Sequence, residues 1–488
     1  MIPDLSDFTR IPARRAAKFG MFKSRYGLEH WARCHASIER MQASPGGNVR
    51  RYLDDLVRHG GFELACPETG RPVRSGASVM LADKTTVFSF PGSPGLLVAV
   101  GDLSMGFPIT AVLMTGRRLW VDVAASHWGF AERHLEAFRA VVAATGWQPG
   151  PATAPLTLVL GDPNYAHHVW NQLSGLEDLV RAGVPAGDIR LVMTHAPLGP
   201  LHTLLPELAA WPVTATPDYH LEAMNAPGAL FAPVGGSYIR RSLVDRLFAV
   251  AEAGASPLCR EMDAALAAVA GPVLWVSVRT RNRTAVNLRA MLAALGGRFL
   301  ELAPTGAVVI DGHSLACDLA DIHPVLRDQA LETAARDRVA AEAVRADIAA
   351  ALGPQAASRV HVAVGLTIAE SLLLGRHADF YFCHHGTVQH KVGWFNATPG
   401  VVHSNEYVLH EAPGEAIARH SEAAAPALYL PATCVRDTTA GDAEFSVFSH
   451  LLSHDNYVFT DIPKTVGIIL RHARASGVIL PQAARAGG

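Results

Sequence analysis

Residues 273–287 read VLWVSVRTRNRTAVN. An apolar, β-branched run from Val273 to Val278 stops, and Arg279, Arg281 and Arg283 follow at once. Asn287 then opens a helix-forming run, LRAMLAAL. Forked cations at a strand end and a helix start are suited to anions, because guanidiniums, backbone N–H groups and the helix dipole converge there. Open parallel sheets bind ligands at the carboxyl ends of their strands. The chemistry this stretch supports is the holding of phosphate groups. The plainer use of such arginines is a solvated helix start, so one run alone does not decide.

A second segment bears on the choice. Residues 366–402 read LTIAESLLLGRHADFYFCHHGTVQHKVGWFNATPGVV. A short helix (Ile368 to Leu374) leads into a strand (Asp379 to Cys383) that ends at His384-His385-Gly386-Thr387. Gly386 lets a backbone approach a ligand closely. The helix start that follows offers free N–H groups, and the His385 imidazole can hydrogen-bond a phosphate oxygen.

Other constellations carry less. His384, His385 and His390 crowd one loop, yet no Cys/His spacing supplies the three or four converging ligands of a zinc site, so no metal is expected. The aspartates form no DxD pair and the serines no GxSxG elbow. Gly235-Gly236-Ser237 does not follow the GxGxxG pattern and reads as a turn.

The elements that must position these residues are legible in outline. Residues 1–60 read as helical, with Trp31 and Tyr52 as packing anchors. Residues 76–124 carry β-formers between Gly/Pro turns and read as a small antiparallel layer. From residue 127 helix and strand alternate: HLEAFRAVVAAT, LTLVLG, HHVWNQLSGLEDLVRAG, IRLVMT. A second alternation runs from Gly271 to about Pro431, with strands VLWVSV, AVVID, RVHVAV, FYFC and GVVHS. Such alternation predicts parallel sheets. An extra helical stretch, His323 to Leu352, separates the arginines from the histidine loop, and residues 462–475 form an amphipathic helix.

At 488 residues the chain holds two domains or more. A net charge of −2 leaves no nucleic-acid footprint. Six scattered cysteines (34, 66, 259, 317, 383 and 434) suit a reducing compartment better than a disulfide framework. The N-terminal MIPDLSDFTRIP lacks a signal pattern, and no run of 18 apolar residues exists, so a cytoplasmic protein without a transmembrane segment is expected. The last residues, QAARAGG, read as a disordered tail.

The arginine stretch resembles the S-R-T-x-N-R-x-x-x-N motif of family 61 glycosyltransferases, here Val278-Arg279-Thr280-Arg281-Asn282-Arg283 closing at Asn287. The family's H-G-A motif and following P-G resemble His385-Gly386-Thr387 and Pro399-Gly400. Its N-x-x-H motif resembles Asn164-Tyr165-Ala166-His167, followed by Asn171, Gln172 and Leu173. The three pieces come in the family's order between about 155 and 405. Val278 stands for a serine, Thr387 for an alanine, and Asn171 where members often carry an acid.

The resemblance implies an α/β fold of GT-B type: two Rossmann-like domains with parallel sheets facing a cleft, plus the N-terminal helical and antiparallel addition. The divisions expected are 1–125 for that addition, 126–254 for an acceptor-side domain, 255–445 for a nucleotide-sugar domain and 446–488 for a helix crossing back with a flexible tail. It implies an inverting, metal-independent transferase that uses no cofactor and takes a nucleotide-sugar, UDP-linked by resemblance, with dTDP-, GDP- and CMP-sugars as alternatives. The acceptor would be a hydroxyl of a cell-envelope glycan or protein. Arg279, Arg283, Asn287, Glu370, His385, Gly386 and Thr387 would bind the donor. Asn164 and Asn171 would lie on the acceptor side, and His167 would be the catalytic base, since an imidazole titrates near neutrality. The other use of His167 is packing beside Trp170. A homo-oligomer is compatible with this reading. The departure at Asn171 motivates an alternative, a catalytically inactive GT-B scaffold that binds glycan or a partner enzyme.

Overall fold

The structure, a computed structural model, describes residues 7–126, 128–184, 189–281, 283–411, 419–438 and 455–479. Residues 480–488, expected as a tail, and Asn282 of the arginine motif lie outside the described residues. The chain forms two compact units, Met1–Ala196 with Pro200–Tyr238, and Pro197–Gly199 with Ile239–Gly488.

Unit 1 begins with helices α1 (Phe19–Tyr26), α2 (Trp31–Gln42) and α3 (Arg51–His59). Trp31 and Tyr52 are fully buried, and each aromatic donor finds a backbone oxygen, Nε1 at Ala16 (2.7 Å) and Oη at Phe107 (2.9 Å). A six-stranded sheet follows: β1 (Thr9–Ile11), β2 (Ser78–Met80), β3 (Thr86–Ser89), β4 (Leu96–Val100), β5 (Ile109–Met114) and β6 (Leu119–Asp122). Its order is β1-β6-β5-β4-β3-β2, antiparallel except for the β1–β6 pair. Helix α4 (Glu132–Thr145) packs Leu135, Phe138 and Val141 into the core of this layer.

The second sheet of unit 1 is parallel: β7 (Leu156–Leu160), β8 (Arg190–Met193), β9 (Val213–Ala215) and β10 (Leu230–Pro233), in the order β9-β8-β7-β10. Successive strands step outward from β7, then the chain returns to its other side, so the order reverses between β7 and β10. The two sheets are stitched where Ser78 donates its N–H to Ala229 (2.9 Å) and its hydroxyl to the Phe231 carbonyl (2.9 Å).

Unit 2 opens with helices α6 (Arg241–Gly254) and α7 (Pro257–Ala267), the unit 1 helical stretch 165–181 being α5. Its sheet holds β11 (Val273–Ser277), β12 (Ala307–Asp311), β13 (Val360–Val362), β14 (Phe380–His384), β15 (Gly400–His403) and β16 (Leu428–Tyr429). The order β13-β12-β11-β14-β15-β16 is parallel throughout, a doubly wound arrangement that reverses between β11 and β14. Every residue of β11, β12, β14 and β15 is buried, which is why these strands read as continuous apolar runs. Helices α8 (Leu288–Leu302), α9 (Pro324–Leu352), α10 (Ile368–Gly375), α11 (Thr387–Gly393) and α12 (Ile462–Ala475) complete the unit with the antiparallel pair β17 (Val435–Thr438) and β18 (Asn456–Phe459). Met291, Leu295 and Phe299 of α8 share one core with Val344 and Ile348 of α9 and with Val466 and Ile469 of α12. The fold class is thus the expected one: α/β, two parallel-sheet Rossmann-like units and an N-terminal helical and antiparallel addition. Among the described residues no helix is long and apolar enough to cross a membrane.

One ion pair lies deep in unit 2. Lys391 Nζ sits 2.9 and 2.7 Å from the two Asp311 carboxylate oxygens, 2.7 Å from the Gly312 carbonyl and 2.7 Å from Ser314 Oγ. Both charged side chains are essentially sealed, at 3% and 0% exposure. Removing one partner strands the other charge in the core. Lys391→Met is expected to cost about 3–5 kcal/mol in chemical denaturation. A loss under roughly 1 kcal/mol, the ceiling for an exposed pair, would show that the pair is solvated.

Candidate functional site

The sheet of unit 2 delivers the two sequence segments to one place. Arg279 and Arg283 follow β11, while His384 ends β14 and His385 and Gly386 follow it, and β11 and β14 are the neighbours between which the strand order reverses. Gly386 takes φ +104° and ψ −150°, a region open to glycine, and a Cβ built there would lie 3.6 Å from Arg283 Nη2. Arg283 has φ +49°, left-handed backbone for a non-glycine residue, as recurs at functional sites. Its Nε is buried without a hydrogen-bond partner, and among the described residues no carboxylate lies within ion-pair distance of its guanidinium. Arg279 Nε donates to the Arg281 carbonyl (3.0 Å), which holds its fork against its own loop.

Electrostatics identify the cluster as a buried excess of positive charge. Burial, then the neighbouring Arg283, lowers Arg279 to about 9, and burial lowers Arg283 as well. Burial and the two arginines bring His385 down to about 3 and push His384 well below its ordinary value. Burial and Arg279 bring His403, at the end of β15, to about 3. An anion placed here would relieve all these groups together.

The loop is held by residues the sequence reading did not single out. Helix α9, expected as a mere insertion, supplies Asp337, which accepts from the Thr280 N–H (3.1 Å), the Thr280 hydroxyl (2.6 Å) and the His313 N–H (2.8 Å). Residues 284–287 zip onto β18: Thr284 donates to Asn456 Oδ1 (2.8 Å), Tyr457 to the Thr284 carbonyl (3.1 Å) and Val286 to the Tyr457 carbonyl (2.8 Å). This brings the fully buried Tyr457 beside the arginines, its hydroxyl 2.6 Å from His403 Nδ1. Tyr429 Oη lies 2.9 Å from His385 Nδ1.

Of the donor-side residues expected from sequence, Arg279, Arg283, His385 and Gly386 are brought together, and Thr387 follows as the first residue of α11. Asn287 and Glu370 have other work. Both ends of the Asn287 amide are engaged by the Phe459 backbone: Nδ2 donates to its carbonyl (3.0 Å) and Oδ1 accepts from its N–H (2.9 Å). Glu370 closes the capping box of α10, accepting from the Thr367 N–H (2.9 Å) and hydroxyl (3.0 Å), and from the Ser256 N–H (2.9 Å). The run Thr367-Ile-Ala-Glu370 is itself a capping signature legible in sequence.

The corresponding reversal point of unit 1 holds the N-x-x-H segment. After β7 the chain turns through Gly161 at φ +104°, and Asn164 caps the helical stretch, accepting from the Ala166 N–H (3.1 Å). Residues His168–Leu173 widen into a π-helical turn, a feature frequent at functional sites. His167 is half-buried and its ring stacks on Trp170 at 6.2 Å. Its Nδ1 lies 2.9 Å from Asn171 Oδ1, while Asn171 Nδ2 donates to the Gly236 carbonyl after β10 (3.0 Å). That second bond fixes which end of the amide faces the ring. Nδ1 must therefore donate, and Nε2 keeps its lone pair. Asn171 thus orients the imidazole without adding charge.

Beside it lies a network absent from the sequence reading. Asp218, after β9, sits 2.8 Å from Lys84 Nζ and 3.1 Å from His195 Nε2. Burial opposes its ionisation, but the His195 hydrogen bond and Lys84 bring it down to about 2. Asp162, after β7, is raised by burial against the pull of Lys84 and His167. Among the described residues no group of three or more His, Cys, Asp or Glu is placed to hold a metal ion.

No protein-family model matches the chain, and no curated protein matches it. Several solved structures are similar to it. A glycosyl transferase of family 9 from Veillonella parvula shares 7% identity over 57% of this chain and 86% of its own, with a TM-score of 0.29. Sucrose-phosphate synthase from Thermosynechococcus elongatus shares 14% over 76% and 77%, with a TM-score of 0.27. UDP-GlcNAc 2-epimerase from Neisseria meningitidis, bound to UDP-GlcNAc, shares 15% over 50% of this chain and 58% of its own, with a TM-score of 0.23. Likeness of this degree says nothing about activity.

Proposed function

We propose that this chain is an inverting glycosyltransferase that moves a sugar from a nucleotide-sugar to a hydroxyl, with Arg279, Arg283 and His385 as the diphosphate-binding residues and His167 as the base. One observation carries the reading: Arg283 is poised over Gly386 at the sheet's reversal point, with Arg279 beside it, and among the described residues no carboxylate lies within ion-pair distance of Arg283. The order of the three motifs supports family 61 and a UDP-linked donor. The acceptor is read as a glycan or protein of the cell envelope, and the setting as cytoplasmic.

The chemistry follows from charge. The acceptor oxygen attacks the anomeric carbon from the face opposite the leaving group, and the bond to the diphosphate oxygen breaks. Negative charge grows on the leaving diphosphate, where the fixed guanidiniums of Arg279 and Arg283 and the His385 ring would meet it. His167 Nε2, its tautomer set through Asn171, would accept the hydroxyl proton.

The decisive experiment is calorimetric binding and turnover over UDP-, dTDP-, GDP- and CMP-sugars, with hydrolysis as the acceptor-free readout. Binding of none of them would end the proposal, and binding without transfer or hydrolysis would favour an inactive scaffold. Turnover is also expected to survive EDTA, because two fixed guanidiniums supply the charge that a divalent cation would otherwise bring. Activity lost in chelator and restored by Mn²⁺ would refute the metal-independent step.

A further inference from the structure

Beyond the arginines, two buried histidines beside the proposed anion site, His384 and His403, each have a ring Nε2 without a hydrogen-bond partner. His384 is 1% exposed at the last position of β14. Its Nδ1 lies 2.6 Å from the His385 carbonyl, and a carbonyl only accepts, so Nδ1 carries the proton. Nε2 is therefore a bare lone pair in the neutral ring, and it is buried with no hydrogen-bond partner. A lone pair repels an anion; the same nitrogen protonated would donate to one. Buried polar atoms without partners are rare enough to call for a ligand or a reason.

The surroundings say what the ligand would be. The charged and titratable groups facing His384 are Arg279 and Arg283 from the loop after β11, His385 from its own strand end, His403 from β15 at a ring distance of 5.5 Å, and Tyr457 from β18 at 6.1 Å. Behind these, Asp337 of α9 acts on Arg279, and Asp437 of β17 acts on Tyr457. Burial first, and then the nearest strong charges, which are positive, favour the neutral ring. A diphosphate between the guanidiniums would cancel that field and supply an acceptor.

The geometry points to His384 as a further anion-binding residue of unit 2, which takes up one proton from solvent together with the diphosphate and donates it through Nε2. This inference rests on the reading of unit 2 as a diphosphate site. No bond forms or breaks in the step; the imidazole becomes imidazolium as the ligand binds. Since the ligand raises the affinity of the ring for its proton, the proton equally raises the affinity for the ligand, and binding strengthens as pH falls.

The test uses the full chain with UDP-, dTDP- and GDP-glucose, whose diphosphate esters hold no proton that titrates near neutrality. Calorimetry at pH 7 in two buffers of different ionisation enthalpy counts the protons exchanged. About one proton is expected to enter per ligand bound, and Kd should weaken by up to about tenfold per pH unit above neutrality. His384→Asn should abolish the uptake and weaken binding by roughly tenfold or more, the worth of one charge-assisted hydrogen bond. The wild-type pH dependence needs no variant, so it decides even if His384→Asn fails to fold. Binding with no proton uptake overturns the inference, as does uptake that persists in His384→Asn but disappears in His403→Asn. Failure of all three nucleotides to bind would instead overturn the diphosphate reading beneath it.

Discussion

Arg279→Ala and Arg283→Ala are each expected to abolish sugar transfer and to weaken nucleotide binding by about 1.5–3 kcal/mol, roughly ten- to hundredfold. The reason is the state of the cluster before any ligand arrives. Two guanidiniums, one depressed to about 9, lie in one buried cluster with three histidines kept neutral by burial and by that same charge. Such an arrangement is unfavourable alone and is relieved by an anion, so each arginine contributes more to the complex than to the empty fold. Melting temperature should therefore change little, or rise, when one arginine is removed. Arg283→Ala should differ from Arg279→Ala in one respect: it leaves a non-glycine residue at φ +49°, so Arg283→Gly should be the more stable of the two position-283 variants. Nucleotide affinity measured by calorimetry decides the matter. Unaltered UDP affinity in both alanine variants would sink the phosphate-clamp assignment.

His167→Ala should lower kcat by about 10²–10⁴, the usual worth of a general base, while nucleotide affinity stays nearly constant. The geometry gives this expectation its content. A base needs a free lone pair in a fixed direction, and the Gly236–Asn171–His167 chain of hydrogen bonds supplies one at Nε2. Asn171→Ala should follow the same pattern with a smaller loss, because the ring survives but its tautomer and direction are released. Turnover and UDP binding measured on the same variant separate the outcomes. Turnover near wild type makes His167 a packing residue on Trp170. A fall in UDP affinity as large as the fall in turnover would make it part of the donor site.

Much of unit 2 is legible in the sequence because its central strands are buried on both faces. Runs such as VLWVS, AVVID and FYFC admit few other readings, and the residues that end them fall at the ligand-binding edge. That is why Arg279, Arg283, His385 and Gly386 could be picked out. Unit 1 is less transparent: β9 and β10 are three and four residues long, and β10 ends in proline, so neither stands out from its loops. Tyr457 and His403 escape for another reason. Tyr457 reaches the arginines through a ladder to residues about 170 positions earlier, and nothing local in DNYVF announces that pairing. Lys84 and Asp218 meet across 134 residues in the same way. Asn287 and Glu370 teach the converse. Asn287 closes the resembled motif and Glu370 is expected on the donor side, yet each side chain is occupied in bracing backbone.

The crossing that sets the His167 ring has no room to spare. A Cβ at Gly236 would lie 2.6 Å from Ser174 Oγ, one at Gly175 would lie 2.8 Å from the Gly235 carbonyl carbon, and one at Gly106 would lie 2.5 Å from the Gly236 oxygen. Asn48 closes the same crossing, accepting from the Tyr238 N–H (3.0 Å) and donating to the Ser174 carbonyl (3.1 Å). Residues 48 and 106 thus close on a turn that lies far later in the chain. On the proposed assignment, replacing Asn48 would remove no group that touches substrate and would still disturb the proposed base. The Gly236 carbonyl would lose its seat, Asn171 its anchor, and the imidazole its direction.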